Sequence, residues 1–360
     1  MKKTIAVVLC MCLLLCGCSN LLNGSYSSVV PHKEPGGQTS TPSVSVSNYF
    51  QTKMELIAMV MNGTESAVFT TQYPSVEAAE EDMTKAIEEV CRTNPYAVYA
   101  VDRIRFESGT SNGQSAIHVV ISYLQNRVDV KTIRAVKNVD EANELIIEQL
   151  NDCSAGVVFY CESWSDPDYA QIVADYALSH ADKVIEEPEV TVNRYPEKGT
   201  KQIVEIKFSY QTSRDSLRAM QSHVAVVFKS AEEFVDITAE KTEQYARLYD
   251  FLMNRYTSYE LSTSITPAYS LLRHGVGDER AFATVYAAMC RQLGLECEAV
   301  IGMRNGEPWT WDAVRIDGVY YHIDLLRSKE EGQFYLFSGM EMQGYVWDYS
   351  KYPLPEEKIS

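Results

Sequence analysis

Two short turn signals, Asn305-Gly306 and Asp317-Gly318, dictate more about this chain than any other local feature. Such pairs supply the left-handed backbone that a two-residue hairpin requires and that most residues resist. The flanking runs 297–303, 309–316 and 319–324 are therefore read as three consecutive antiparallel strands. Before them, residues 279–293 place Phe282, Val285, Met289 and Leu293 on one face, with Asp278 as N-cap and Gly294 as the stop. A helix followed by such a meander implies an α+β layer pair.

The residues within this frame are similar to the transglutaminase-like (papain-related) superfamily. Active members open the helix with a turn of the form G-V-C-x-G-Y-A, continue with a strand H-x-W-N, and end the next strand on the Asp of W-Y-H-x-D. Here the turn is His274-Gly275-Val276-Gly277-Asp278, the strand begins Trp309-Thr310-Trp311-Asp312, and the last strand closes Tyr320-Tyr321-His322-Ile323-Asp324. The resemblance extends over residues 221–360, from the lead-in segment 243–252 through 268–272 to the tail motifs 334–338 and 344–348. It implies a papain-like α+β domain whose triad positions hold Gly277, Trp309 and Asp324. In active relatives the helix dipole and a neighbouring imidazole lower the pKa of the Cys so that a thiolate exists at neutral pH. Glycine has no side chain, and an indole only donates one hydrogen bond and carries no proton between groups. The expectation is a degenerate, non-catalytic domain. Its former cleft would present Asp278, Trp309, Trp311, His322 and Asp324 to a ligand, with Trp311 filling the core and Trp309 offering an aromatic platform.

The N-terminus reads as an export signal. Lys2 and Lys3 precede an apolar run over 5–15, which is too short to span a bilayer, and Leu15-Cys16-Gly17-Cys18 resembles a bacterial lipobox. Residues 1–18 would be a lipoprotein signal peptide and Cys18 the lipid-modified end, placing the chain on the extracytoplasmic side of a bacterial membrane. Residues 19–47, rich in Ser, Thr, Pro and Gly, read as a flexible tether that includes His32. Cys91, Cys153, Cys161, Cys290 and Cys297 lie beyond the signal. They lack C-x-x-C spacing and a nearby His pair, so no metal and no cofactor is expected. Cys153 and Cys161 flank an apolar strand and could pair, though buried apolar roles suit most of these thiols better.

Two further segments, 48–136 and 137–220, read as repeated small α/β modules. The match is plainest where Ser122-Tyr123-Leu124-Gln125-Asn126-Arg127 answers Ser209-Tyr210-Gln211-Thr212-Ser213-Arg214. Each runs helix, strand, helix, two strands, and neither has a phosphate loop or a carboxylate pair. His118 reads as a strand position and His180 as a helix C-terminus. The boundary at 220 is followed by an entry strand over 224–228 and one helix over 230–256.

Net charge narrows the partners. With 32 Lys and Arg against 49 Asp and Glu, the formal charge is -17, which repels polyanions and argues against nucleic acid. The function expected is a lipid-anchored surface protein that binds a peptide, a cell-wall component or a partner protein. The alternative is a cysteine-type peptidase, amidase or transglutaminase-like enzyme using displaced residues, with Cys290, His322 and Asp324 as its candidates.

Overall fold

The computed structural model describes residues 42–162, 167–259 and 266–354. The signal segment, Cys18, His32 and most of the expected tether lie outside those residues. Among the described residues no helix is long and apolar enough to cross a membrane.

The first unit contains β1 (Ser43–Val46), α1 (Tyr49–Met61), β2 (Ser66–Thr71), α2 (Val76–Thr93), α3 (Pro95–Ala100), β3 (Val101–Ser111) and β4 (Gln114–Tyr123). Its sheet runs β1-β2-β4-β3, with β1 parallel to β2 and the other neighbours antiparallel. A second unit follows: α4 (Arg127–Thr132), β5 (Arg134–Val136), α5 (Val139–Asn151), β6 (Gly156–Glu162), α6 (Tyr169–Ser179), β7 (Glu189–Tyr195) and β8 (Lys201–Ser209). Its order is β5-β6-β8-β7, with β5 parallel to β6 and the rest antiparallel. β1 corrects the extent of the tether. Val44 and Val46 alternate within a Ser-rich run, and pairing with Val68–Thr71 gives this stretch the backbone partners that its composition did not reveal.

The C-terminal part begins inside α7 (Arg214–Phe234), which runs across the expected boundary at 220. The expected entry strand 224–228 is helical. Leu217, Val224, Phe228 and Ala231 are its buried positions, a helical spacing that a short apolar run leaves ambiguous. The expected single helix over 230–256 is divided at 235–240, where the Asp236 carboxylate accepts from Thr238 N at 2.9 Å and from its hydroxyl at 2.7 Å. That local turn competes with helical hydrogen bonding. After it come α8 (Lys241–Met253), β9 (Thr257–Ser258), α9 (Pro267–His274), β10 (Val276–Gly277) and α10 (Glu279–Gln292). The meander is β11 (Cys297–Arg304), β12 (Glu307–Ile316) and β13 (Val319–Ile323), followed by α11 (Leu325–Glu330), β14 (Phe337–Ser338) and β15 (Tyr345–Val346). The sheet order is β14-β13-β12-β11-β15, antiparallel throughout.

α10 is the centre of this domain. Every residue from Ala281 to Cys290 is buried, so the single apolar face expected from sequence is a helix enclosed all round. Ala283, Ala287 and Ala288 keep its girth small enough for neighbours on every side. Its core also takes Leu217 and Phe228 from α7 and Ala181 and Ile185 from the second unit, so the two pack as one body of apolar side chains. The opposite face of the meander holds a separate aromatic cluster that includes Trp311, Tyr345, Trp347 and Tyr352.

Candidate functional site

The start of α10 is built from backbone. Gly275 ends α9 in the left-handed region at φ 83°, and its carbonyl accepts from Thr257 N at 2.8 Å. β10 then pairs in parallel with β9, and Gly277 O accepts from Tyr259 N at 2.8 Å. Asp278, half-buried, caps the helix by accepting from Ala281 N at 2.8 Å. Gly277 itself is buried. A Cβ there would stand 3.0 Å from Cβ of Ala281 and 3.1 Å from Cβ and Cδ1 of Leu271. A side chain at 277 would press on Leu271 and Ala281, which would have to give by a few tenths of an ångström to admit it.

Trp309 and Asp324 meet across the meander. Nε1 of Trp309 donates to Oδ2 of Asp324 at 2.8 Å, and the Tyr345 hydroxyl donates to the same oxygen at 2.7 Å. Oδ1 accepts from Arg327 N at 3.0 Å, which makes Asp324 the N-cap of α11. Arg304 completes the group, with Nη1 3.7 Å from Oδ2 and its guanidinium 5.0 Å from the centre of the Trp309 ring. Asp324 is 2 % exposed, so its charge is held by bonds and by one cation rather than by water. Burial, and then the Asp324 carboxylate, push the Tyr345 hydroxyl pKa upward and keep it a donor.

Trp311 and His322 form a second pair, each 1 % exposed. Nε1 of Trp311 donates to Nδ1 of His322 at 3.1 Å, which places the imidazole proton on Nε2. Burial lowers the His322 pKa to about 4, so the ring is neutral at pH 7. Gly302 admits this arrangement, because a Cβ on it would stand 2.5 Å from the Trp311 ring and 2.4 Å from Val346 O.

The α10 side of the sheet holds Asp312, Cys297 and Cys290. Cys297 Sγ donates to Asp312 Oδ1 at 3.8 Å, and Oδ2 has no hydrogen-bond partner. Burial raises the pKa of Asp312 well above the carboxylate range, and the neighbouring Cys297 and Asp324 raise it further. Burial also raises the Cys290 thiol, which is 0 % exposed. Neither a thiolate nor a free carboxylate is stabilised there. Among the described residues Cys153, Cys161, Cys290 and Cys297 are buried and Cys91 is exposed, and none of the five is in a disulfide. Among the described residues no group of His, Cys, Asp and Glu could hold a metal ion.

Of the residues expected to face a ligand, Asp278 and Trp309 are half-buried, while Trp311, His322 and Asp324 are closed off from solvent. The expected cleft is filled at those three positions by their own contacts. The indole of Trp309 is turned onto Asp324 rather than outward as a platform. Tyr345, Arg304 and Arg327, which complete the Asp324 group, were not expected from sequence. Gly344-Tyr345 stood out only as part of a tail motif. His180 is the C-cap of α6, stacked on Tyr176 with ring centres 3.9 Å apart.

Comparison with known proteins follows the same segment. Residues 229–327 match the family model of the transglutaminase-like superfamily. No curated protein matches the chain. Among solved structures it is similar to a TGase at 11% identity and a TM-score of 0.27, covering 61% of this chain and 63% of that one, under two thirds of its length. It is also similar to a candidate cysteine protease from Cytophaga hutchinsonii, at 13% identity over 44% of this chain and 70% of that one, TM-score 0.27. A candidate protease from Parabacteroides distasonis is 9% identical over 71% of this chain and 40% of that one, TM-score 0.24. The segment 229–327, with α10 packed on the meander β11 to β13, is a transglutaminase-like superfamily domain.

Proposed function

We propose that this transglutaminase-like domain is non-catalytic and serves binding, in a chain anchored by lipid at Cys18 to the extracytoplasmic face of a bacterial membrane. The observation that carries the non-catalytic reading is the use made of Asp324. In a working triad this carboxylate orients an imidazole. Here its oxygens accept from Trp309, Tyr345 and the backbone of Arg327, and no imidazole is among those donors. The packing of Leu271 and Ala281 against Gly277 supports the same reading from the nucleophile's side.

The enzyme alternative through Cys290, His322 and Asp324 lacks support. The thiol is enclosed in the core, and the Nδ1 lone pair of the imidazole is occupied by Trp311.

The test uses the unaltered protein, assayed for amine transfer to glutamine peptides and for peptide hydrolysis, with and without iodoacetamide. No turnover is expected, and turnover abolished by the reagent overturns the proposal. Placing Cys at 277 and His at 309 together is expected to leave activity absent and to destabilise the fold by about 1–3 kcal/mol through overpacking, measured by urea unfolding. For the anchor, Cys18→Ala is expected to abolish palmitate labelling and release the protein from membranes; retained labelling would refute it.

A further inference from the structure

β11 has β12 along its whole length but β15 only beside Met303 and Arg304. Arg315 N donates to Glu296 O at 3.3 Å, which sets the alternation along the strand. Glu298 and Val300 therefore turn their backbone groups toward β12, and Cys297, Ala299 and Ile301 turn theirs outward. Among the described residues, those outward N–H and C=O groups have no strand, loop or side-chain partner. An unpaired edge of this kind is a template for another strand.

A groove of roughly 600 Å³ lies over this edge. One wall is formed by Leu178 of α6, which packs against the core under the sheet, and by Arg291 at the end of α10. The other is formed by Tyr320 and Tyr352 of the aromatic cluster on the opposite face and by the exposed Arg315. The two guanidinium groups are poorly matched within the protein. Nη2 of Arg291 is buried without a hydrogen bond, with the Asp182 carboxylate 3.7 Å away. Arg315 packs 5.7 Å from the Tyr320 ring centre and has no carboxylate partner among the described residues. The groove's acids are mostly engaged. Glu298 is held by Lys351 at 3.0 Å and by the Tyr352 hydroxyl at 2.8 Å, Asp175 accepts from Gln171 at 2.8 Å, and Glu296 is exposed to solvent.

We propose that the free edge of β11 takes up an extended acidic peptide as an added strand, a reading that rests on the binding role proposed above. Main-chain hydrogen bonds to Cys297, Ala299 and Ile301 would hold it, over a length of about 16 Å at the strand rise of ~3.3 Å per residue. Successive side chains of an extended peptide point to opposite faces, so two adjacent acids reach Arg291 on one wall and Arg315 on the other. The chain's charge of -17 repels a long acidic run, so a pair of acids within an otherwise neutral peptide is the fitting ligand.

The probe is a fluorescent octapeptide with a central Glu-Glu pair between Val and Thr residues, titrated against the full chain by anisotropy. Its controls carry Lys-Lys at the centre, or methyl groups on alternate backbone amides along either edge. The acidic peptide is expected to bind at least tenfold tighter than the lysine peptide, and methylation of one edge to weaken it by tenfold or more. Arg315→Glu, at an exposed position, is expected to abolish the acidic preference without changing the melting curve. Ala299→Pro, which removes an outward N–H, is expected to weaken all peptides alike, and Arg315→Glu decides the matter if that variant fails to fold. Equal binding of the methylated peptides, or no binding by a protein that melts normally, overturns the proposal. Turnover is assayed on the same sample: turnover together with peptide binding refutes only the non-catalytic reading, and absence of both refutes only the groove.

Discussion

Asp324→Ala is expected to destabilise the folded chain by about 3–5 kcal/mol, the scale for removing one partner of a buried charged group. The loss has identifiable parts. Nε1 of Trp309 and the hydroxyl of Tyr345 would be left without an acceptor, and Arg304 would lose the carboxylate 3.7 Å from it. α11 would also lose its N-cap, which is commonly worth ~1 kcal/mol. Asp324→Asn is expected to recover little of this. The amide can turn an oxygen to the Arg327 N–H, but its nitrogen then faces two donors. Trp309→Phe removes one of those donors and keeps most of the apolar area, so it should cost about 1–2 kcal/mol. Urea unfolding of the three variants checks the ranking. An alanine variant within 1 kcal/mol of the parent would show that the carboxylate is not a structural hub, and would reopen a role for it in chemistry.

Acid should weaken the fold through His322. Its pKa in the unfolded chain is near 6.5 and falls to about 4 in the folded protein, because burial penalises the charged ring. Between those values the unfolded chain binds more protons, so folded stability declines as pH falls from about 6.5 and levels off below about 4. The stabilisation is fully present above pH 6.5. A shift of this size corresponds to about 3 kcal/mol over the window. His322→Asn supplies an oxygen near the place of Nδ1 to accept from Trp311 and removes the titration. Asp312, whose raised pKa acts in the opposite sense, is present in both proteins and cancels in the comparison. Denaturant midpoints measured from pH 7 to pH 4 should therefore diverge, the parent losing more than the variant. Parallel curves would show that His322 is protonated at no cost in the folded state.

Local signals were legible where they act over a few residues. The caps at Asp278 and Gly294 and the turns at Asn305-Gly306 and Asp317-Gly318 placed α10 and the meander, and the structure has Asn305 and Asp317 at φ 54° and 51° with the glycines following in the same region. Short apolar runs were not legible in the same way. Residues 224–228 satisfy strand and helix alike until Leu217 and Ala231 supply the period. β1 was hidden because its pairing partner lies at Val68–Thr71, and the alternation of Val44 and Val46 is too short to announce a strand within a Ser-rich run. At the candidate site, Trp309, Trp311, His322 and Asp324 could be named from sequence, but which of them would meet could not.

By itself, the sequence determined that position 277 lacks a nucleophile's side chain, that position 309 carries an indole, and that Asp324 follows them in order at the end of the meander. Those are matters of residue type and short-range backbone preference, which a linear chain carries openly. Only the tertiary structure decided that the indole occupies the carboxylate, that Tyr345 and Arg304 join it from 21 and 20 residues away in sequence, and that Leu271 and Ala281 crowd the position of Gly277. It alone also left β11 with an open edge between two guanidinium groups. The physical reason is common to all of these: a buried donor, acceptor or charge finds its partner through the packing of distant segments, and no local pattern encodes which partner that will be.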